Sequence, residues 1–324
     1  MLTQQFSEVE AEILKELLAD GRQTSGEIAE KIGLTKEVVK KNYEKMEQIG
    51  VITGATIHIN YKSFGYKAVA HILITVDPQQ EDNLIKYLKK MPEVFSFYGR
   101  GIKGNIDVVT ILKTLEQLNE FKDAIKRNFS ISEMRTAIWT DVKETNENLT
   151  IIGDAGVAIN SLVKTPKKSS PQTIVIDQID QKIVDKLSEN GRISMESLGR
   201  EIGISSNCAK KRYEKLEKNG ALKVTIQINP IKIGYQALCV FFIAFSNEES
   251  LSFIDKISKM PDVISIMKTT GDYDLQVWAM VKDMGQLLCI QEELGNIPQI
   301  REIHMELLRV RDKWPTPRQY ISTF

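Results

Sequence analysis

The sequence predicts an α+β chain built twice over. Each copy is a helical head, read as a winged helix-turn-helix, followed by a ferredoxin-like βαββαβ body. Three observations carry this. Glu8–Gly50 aligns with Gln178–Gly220 without a gap, and self-similarity at a long fixed interval sets the architecture before any other reading. Apolar residues in both heads recur at helical spacing. Beyond each head the pattern alternates strand, helix, strand, strand, helix, strand. The duplication also accounts for the length, since 324 residues exceed one ordinary domain.

The head begins with a helix whose apolar face is Val9, Ile13, Leu14 and Leu17, or Ile179, Ile183, Val184 and Leu187 in the second copy. A Gly-Arg turn follows, Gly21-Arg22 or Gly191-Arg192. Thr24 or Ser194 can then cap a short second helix carrying Ile28 and Ile32, or Leu198 and Ile202. Gly33 and Gly203 stand where a tight turn between helices needs a positive φ. Thr35 or Ser205 can cap a third helix with an i, i+4, i+7 apolar face: Val39, Tyr43 and Met46, or Ala209, Tyr213 and Leu216. Three helices with a short turn before the last make a helix-turn-helix. The alternating VITGATIHIN and LKVTIQIN segments fit a two-stranded wing or a connecting strand.

The match resumes after a one-residue shift. Gly65-Tyr66 repeats as Gly234-Tyr235, and KKMPEVFSF as SKMPDVISI; Gly104 with Asp107 is read as Gly271 with Asp274. Second-copy strands are expected near residues 236–245, 263–270, 273–281 and 300–310, with helices near 248–259 and 284–294. A sheet with helices on one face leaves the other face to be covered. Phe97, Val109 and Ile111 are assigned to that other face, and a second such sheet is the expected cover. The resulting boundaries are 1–62 and 63–143 for the first head and body, 144–173 for a linker, and 174–231 and 232–324 for the second pair. The linker is rich in Asn, Thr, Ser, Lys and Pro. Its apolar IIGDAGVAI run is the part able to dock.

The segments IDQIDQKIVDKLSENGRISMESLGREIGISSNCAKKRYEKLEKNGAL and TTGDYDLQVW resemble the Lrp/AsnC family of feast/famine regulators. Head, wing and body all agree with it along the second copy, and the first copy is a more divergent version. The resemblance implies a RAM-type ligand-sensing body, binding to double-stranded DNA, and often a small amino-acid-like effector. It also implies dimers or larger assemblies. Two units in one chain suggest a pseudo-dimer within the chain, alongside a homo-oligomer.

A recognition helix needs short polar groups near its start and Lys or Arg for phosphates. Opposite the apolar face of the second copy's third helix lie Ser206, Asn207, Lys210, Lys211 and Lys215, with Ser205 at its cap. Arg212 is assigned to a phosphate or to helix packing. Ser205 to Lys218 holds five basic against two acidic residues, whereas Thr35 to Gln48 holds four against three. Groove-facing candidates in the first copy are Lys36, Glu37, Lys40 and Lys41, with Asn42 where the family usually has Arg. The second head is therefore expected to bind DNA more strongly, on an asymmetric operator. A solvated helix face is the bland alternative.

The family's effector pocket uses the loop before the third body strand, here Gly271, Asp272, Tyr273 and Asp274. A β-turn needing Gly and Asp for geometry alone is the competing account. The corresponding first-copy loop, Gly101–Asp107, is read as two residues longer and as lacking the Asp-Tyr pair.

With 43 basic and 43 acidic side chains the chain is not a polycation, so a nucleic-acid surface must be a local patch. The longest apolar run, 237–245, falls short of a membrane span. No signal peptide is visible, and Cys208, Cys239 and Cys289 form no framework, so a cytoplasmic protein with reduced thiols is expected. No cofactor, metal or catalytic group is assigned. His58, His71 and His304 are each read as standing alone, and no P-loop, dinucleotide fingerprint or HExxH is present. One enzymatic alternative shares the architecture: siroheme decarboxylases, which pair two such units. Their wing carries an arginine-rich stretch that both wings here lack. A ligand sensor that does not bind DNA is the third reading.

Overall fold

The structure, a computed structural model, describes residues 6–98, 105–144, 149–152, 158–159, 175–246 and 252–315. In chain order the first copy contributes α1 (Glu8–Ala19), α2 (Ser25–Ile32), α3 (Lys36–Gln48), β1 (Ile52–Ile59), β2 (Ala68–Val76), α4 (Glu81–Leu88), β3 (Val94–Tyr98), β4 (Asn105–Leu112), α5 (Glu116–Asn128) and β5 (Ile131–Glu144). A short hairpin of β6 (Ile151–Ile152) and β7 (Ala158–Ile159) follows. The second copy contributes α6 (Gln178–Glu189), α7 (Met195–Ile202), α8 (Ser206–Lys218), β8 (Leu222–Ile228), β9 (Ala237–Phe245), α9 (Ser252–Ile257), β10 (Val263–Thr270), β11 (Leu275–Val281), α10 (Met284–Gly295) and β12 (Ile300–Arg309). The elements fall into two compact units. One draws on the stretches Met1–Gly65, Thr150–Ile233 and Arg311–Phe324, and the other on Tyr66–Leu149 and Gly234–Val310.

The first unit holds both heads. Capping starts their helices where the sequence places it. Thr24 and Ser194 accept from the N3 amides of α2 and α7, and Thr35 and Ser205 from those of α3 and α8. Such a cap contributes about 1 kcal/mol. Gly33 and Gly203 close α2 and α7 with φ of 70° and 78°, the left-handed turn between the second and third helices. The apolar stripes meet in two small cores around Ile13, Leu17, Ile28 and Met46, and around Ile183, Leu187, Leu198 and Leu216, all under 3% exposed.

The segments read as wings contribute one strand per head, and the two strands pair with each other. β1 and β8 run antiparallel from Ile52↔Ile228 to Ile59↔Leu222, with a bulge near Gly54. Of the two options left open by the sequence, a two-stranded wing within each head is thus replaced by a ribbon shared between heads. Trp314 extends this ribbon by exchanging backbone hydrogen bonds of 2.8 Å with Ile228. Ile151, from the apolar run of the linker, is buried, and the β6–β7 hairpin lies against α1. Most of the linker, residues 145–148, 153–157 and 160–174, lies outside the described residues.

The second unit holds both bodies in one eight-stranded sheet of order β12-β9-β11-β10-β5-β2-β4-β3. Each half has the order fourth, first, third, second strand. The halves join where β10 pairs antiparallel with β5. Alternate residues build the helix-side cores: Ile72, Ile74, Ile106 and Val108 with Leu84, Leu88 and Phe121 in one, and Phe241, Ile243, Leu275 and Val277 with Ile257, Leu287 and Leu294 in the other. Fully burying such a side chain contributes about 1.5–3 kcal/mol. The sheet curls so that the opposite faces of its halves meet. The His71 ring lies 5.7 Å from that of Phe242, and Trp139 lies 6.0 Å from Trp278. The expected cover of one body by the other is therefore present.

Two details of the sequence reading change. Phe97 belongs to the helix-side core, because β3 shifts register between Val94 and Ser96 and the alternation is reset. The equivalence of Asp107 with Asp274 also fails. Leu73 pairs with Asp107 and Arg135, while Phe242 pairs with Gln276 and His304. Asp107 thus occupies the place of Gln276, Asn105 that of Asp274, and the two bodies align without a gap. The longer first-copy loop disappears with that correction; its residues 101–104 lie outside the described ones.

Candidate DNA interface and effector pocket

Both recognition helices present their polar faces outward. Lys36, Glu37, Val38, Lys40 and Lys41 are exposed on α3, and Ser206, Asn207, Lys210, Lys211 and Lys215 on α8. Lys40 and Lys210 stand at the same place in each head, 3.7 and 3.8 Å from Glu44 and Glu214 one turn on. Such exposed pairs are weak and leave both ammonium groups free to exchange a carboxylate for a phosphate. Ser205 serves as the cap of α8, its hydroxyl accepting from the Cys208 amide at 3.2 Å.

Arg212 is placed differently from its neighbours. Its Nη1 donates to Asp177 at 2.7 Å and to Asp180 at 2.8 Å, tying α8 to the start of α6. Those hydrogen bonds raise the guanidinium pKa further. Of the two roles open to Arg212, the geometry shows helix packing. The first head solves the same problem with other residues. Asn42, at the equivalent position, donates its amide to the Val38 carbonyl, and Lys45 pairs with buried Glu10 at 2.7 Å.

The Gly-Arg turns, read in the sequence only as turns, are the clamps between heads. Gly21 and Gly191 cross the strand of the opposite head, with amides donating to Val224 and Ala55 carbonyls at 3.1 and 2.8 Å. A Cβ on Gly21 would stand 2.6 Å from the Thr225 carbonyl carbon, and one on Gly191 2.8 Å from the Thr56 oxygen. The adjacent arginines reach across. Arg22 donates to the Gly191 and Ile193 carbonyls at 2.9 and 3.0 Å, and Arg192 to those of Gly21 and Gln23 at 2.8 and 3.2 Å. Each guanidinium also lies over a recognition-helix tyrosine, Arg22 over Tyr213 and Arg192 over Tyr43, at 4.9 and 5.2 Å. Burial lowers the Arg22 pKa, and burial with the Glu47 carboxylate pushes the Tyr43 hydroxyl up to about 12. The signal for this clamp was the recurrence of Gly-Arg itself, since a turn alone needs no arginine.

In the body unit the four loop residues divide. Asp274 is structural: its carboxylate accepts from the Phe245 amide at 2.8 Å, and its backbone amide and carbonyl pair with Ile243 and Thr269 at 2.9 Å each. Gly271 has φ of 131°, and a Cβ there would press on the Thr136 carbonyl at 3.3 Å. Asp272 and Tyr273 line a cavity of about 30 Å³ together with His71, Arg135, Phe242, His304 and Glu306. That volume holds about two waters.

Two of the three histidines converge here, against the reading that each stands alone. Behind the cavity the Trp139 indole donates to the Gln276 carbonyl oxygen at 3.0 Å, and Gln276 Nε2 lies 3.1 Å from His71 Nδ1. His71 Nε2 lies 2.8 Å from Asp107 Oδ1. With Gln276 donating to Nδ1, the ring carries its proton on Nε2 and donates it to Asp107. All but Trp139 in this chain are at most 2% exposed. At these positions the other copy has Val240 and Gln276 for His71 and Asp107, so spacing within one copy could not reveal the network.

Comparison with known proteins finds matches to three segments of the chain. A model of the AsnC-type helix-turn-helix domain matches residues 176–217, one of the winged helix-turn-helix DNA-binding type matches 7–53, and one of the Lrp/AsnC ligand binding domain matches 239–308. An uncharacterized HTH-type transcriptional regulator of Pyrococcus furiosus is 31% identical over 127 residues, 38% of this chain and 82% of that protein. The HTH-type transcriptional regulator FL11 of the same organism is 27% identical over 138 residues, 42% of this chain and 91% of its own length. A crystal structure of the siroheme decarboxylase NirDL superposes with a TM-score of 0.62 at 15% identity, covering 97% of this chain and 94% of that one. At that identity the likeness is one of fold, here of the tandem arrangement. Matching in head and body alike, the chain belongs to the Lrp/AsnC family.

Proposed function

We propose that this protein is a sequence-specific regulator of transcription whose two heads engage one stretch of double-stranded DNA as a fixed pair. The observation that carries it is the reciprocal Arg22 and Arg192 clamp, which fixes two lysine-bearing recognition helices within one unit. The second head contributes more. Its recognition helix has the larger cationic surplus, and Arg212 neutralises Asp177 and Asp180 behind it. Fluorescence anisotropy on DNA upstream of its own gene, titrated with salt, tests this. Affinity should fall steeply with salt, and Lys210→Ala/Lys211→Ala should weaken binding more than Lys40→Ala/Lys41→Ala. No binding at low salt would sink the reading.

A small amino-acid-like effector is the second element of the proposal, supported by Asp272, Tyr273 and Arg135 around one cavity. Arg135 offers a cation to a carboxylate, and Asp272 an acceptor to an ammonium group. At about 30 Å³ the cavity must widen to admit one. A thermal-shift screen of amino acids against wild type and Asp272→Ala checks it. The same protein examined for a tetrapyrrole absorbance band tests the decarboxylase alternative, and we infer that none is bound.

A further inference from the structure

The two recognition helices are alike in the lysines of their second turn and unlike throughout their first. Lys40 and Lys41 of α3 have counterparts in Lys210 and Lys211 of α8, equally exposed. The first turns share nothing: Lys36, Glu37 and Val38 in one stand at the places of Ser206, Asn207 and Cys208 in the other. Val38 is an apolar side chain left 38% exposed on an otherwise polar helix face. Among the described residues no side-chain partner holds Glu37 or Asn207, whereas Asn42 and Asn219 both donate their amides to backbone carbonyls of their own helices. The two heads therefore offer unengaged groups of different hydrogen-bonding character at matching positions.

The chemistry of base edges converts that difference into sequence. An asparagine amide matches adenine N6 and N7 in a bidentate pair, a glutamate accepts from cytosine N4, and a small apolar group packs on the thymine methyl. Lysines on phosphates position the protein and read nothing. Resting on the DNA-binding reading above, we propose that Glu37 with Val38 and Asn207 with Ser206 are the specificity-determining residues of two unlike half-sites. The half-site under α3 contains a cytosine beside a thymine; the one under α8 contains an adenine. Lys36 adds a donor for guanine at the edge of the first half-site.

The alternative is that Glu37 merely favours the helix N-terminus by its charge, which would leave base preference untouched. Selection from a random duplex pool, with the bound fraction sequenced, separates the two. Wild type should return a bipartite motif with unlike halves. The exchange Lys36→Ser/Glu37→Asn/Val38→Cys should convert it to an inverted repeat of the adenine-containing half. The reverse exchange, Ser206→Lys/Asn207→Glu/Cys208→Val, should give an inverted repeat of the other half. Asn207→Ala should reduce discrimination for adenine by about 5- to 150-fold, the span of one bidentate base contact. All these positions are solvent-facing or half-buried, and circular dichroism of each variant confirms its fold. A wild-type motif that is already symmetric, or motifs that do not follow either exchange, overturn the inference while leaving DNA binding standing. Failure of wild type to select any DNA overturns the DNA-binding reading instead.

Discussion

Gly21 and Arg22 divide one task between backbone and side chain. The glycine lets the turn reach the opposite strand, and the arginine then reaches its carbonyls. Gly21→Ala places a methyl 2.6 Å from backbone that cannot yield, so a loss of about 1–3 kcal/mol is expected in urea unfolding. Gly33→Ala meets nothing within 4 Å and carries only the cost of its φ of 70°, about 1 kcal/mol. A Gly33 substitution as damaging as that at Gly21 would refute the close-approach account. Arg22→Lys should not rescue Arg22→Ala, because one ammonium cannot span two carbonyls and still cover the Tyr213 ring. In the bodies, Gln276→Leu strands both the Trp139 indole N–H and His71 Nδ1, each about 1–3 kcal/mol if left unpaired. Chemical unfolding of that variant should show the larger part of this loss, and a neutral outcome would mean the network reorganises around water.

At the scale of elements, α8 and α3 are anchored by ion pairs whose strength depends on pH. Burial raises the pKa of Glu10, but hydrogen bonds from Lys45 and Ser7 and the Lys45 charge outweigh it, and the net shift is downward. Asp177 is also lowered, first by the backbone amide of Asp180 and then by Arg212. A carboxylate whose folded pKa is depressed contributes stability that is complete above its unfolded pKa and is lost as pH falls through the folded value. Thermal stability of the heads should therefore be level near neutrality and decline below about pH 4.5. Glu10→Gln should be less stable near neutrality and show a shallower acid decline; an unchanged pH profile would refute the contribution. These elements were legible to different degrees. Capping residues, the left-handed glycines and the i, i+4, i+7 stripes act locally, so the head helices and their caps follow from the sequence. The pairing of β1 with β8, the bulge that turns Phe97 inward and the partners of Arg212 depend on residues far away in the chain. Within one copy VITGATIHIN looks the same whether it pairs with itself or with its duplicate. The His71–Asp107–Gln276 chain was hidden for the same reason, since Asp107 and Gln276 hold the same place in different copies and His71 has only Val240 as its counterpart.

For the whole molecule, duplication places both members of each pair in one covalent chain. In the head unit every interaction of the clamp has its counterpart under exchange of the copies: Arg22 with Arg192, Gly21 with Gly191, β1 with β8. In the body unit the exchange is broken, because His71 and Asp107 stand where the second copy has Val240 and Gln276. Symmetric contacts would serve two separate chains equally well, whereas the broken ones favour pairing of unlike copies. A tether holds such copies at an effective concentration in the millimolar range, far above that of a regulator in dilute solution. One chain should consequently supply a complete pair of recognition helices. Binding to an operator is then expected to be first order in chain, with a hyperbolic isotherm and a single-chain complex, down to nanomolar protein. A regulator that must first assemble from two chains would instead show a steeper isotherm and lose affinity on dilution. Mass photometry of the complex, with anisotropy across the same dilution series, measures both. Sigmoidal binding with a two-chain complex as the smallest species would mean that the heads pair between chains, and it would overturn pairing within one.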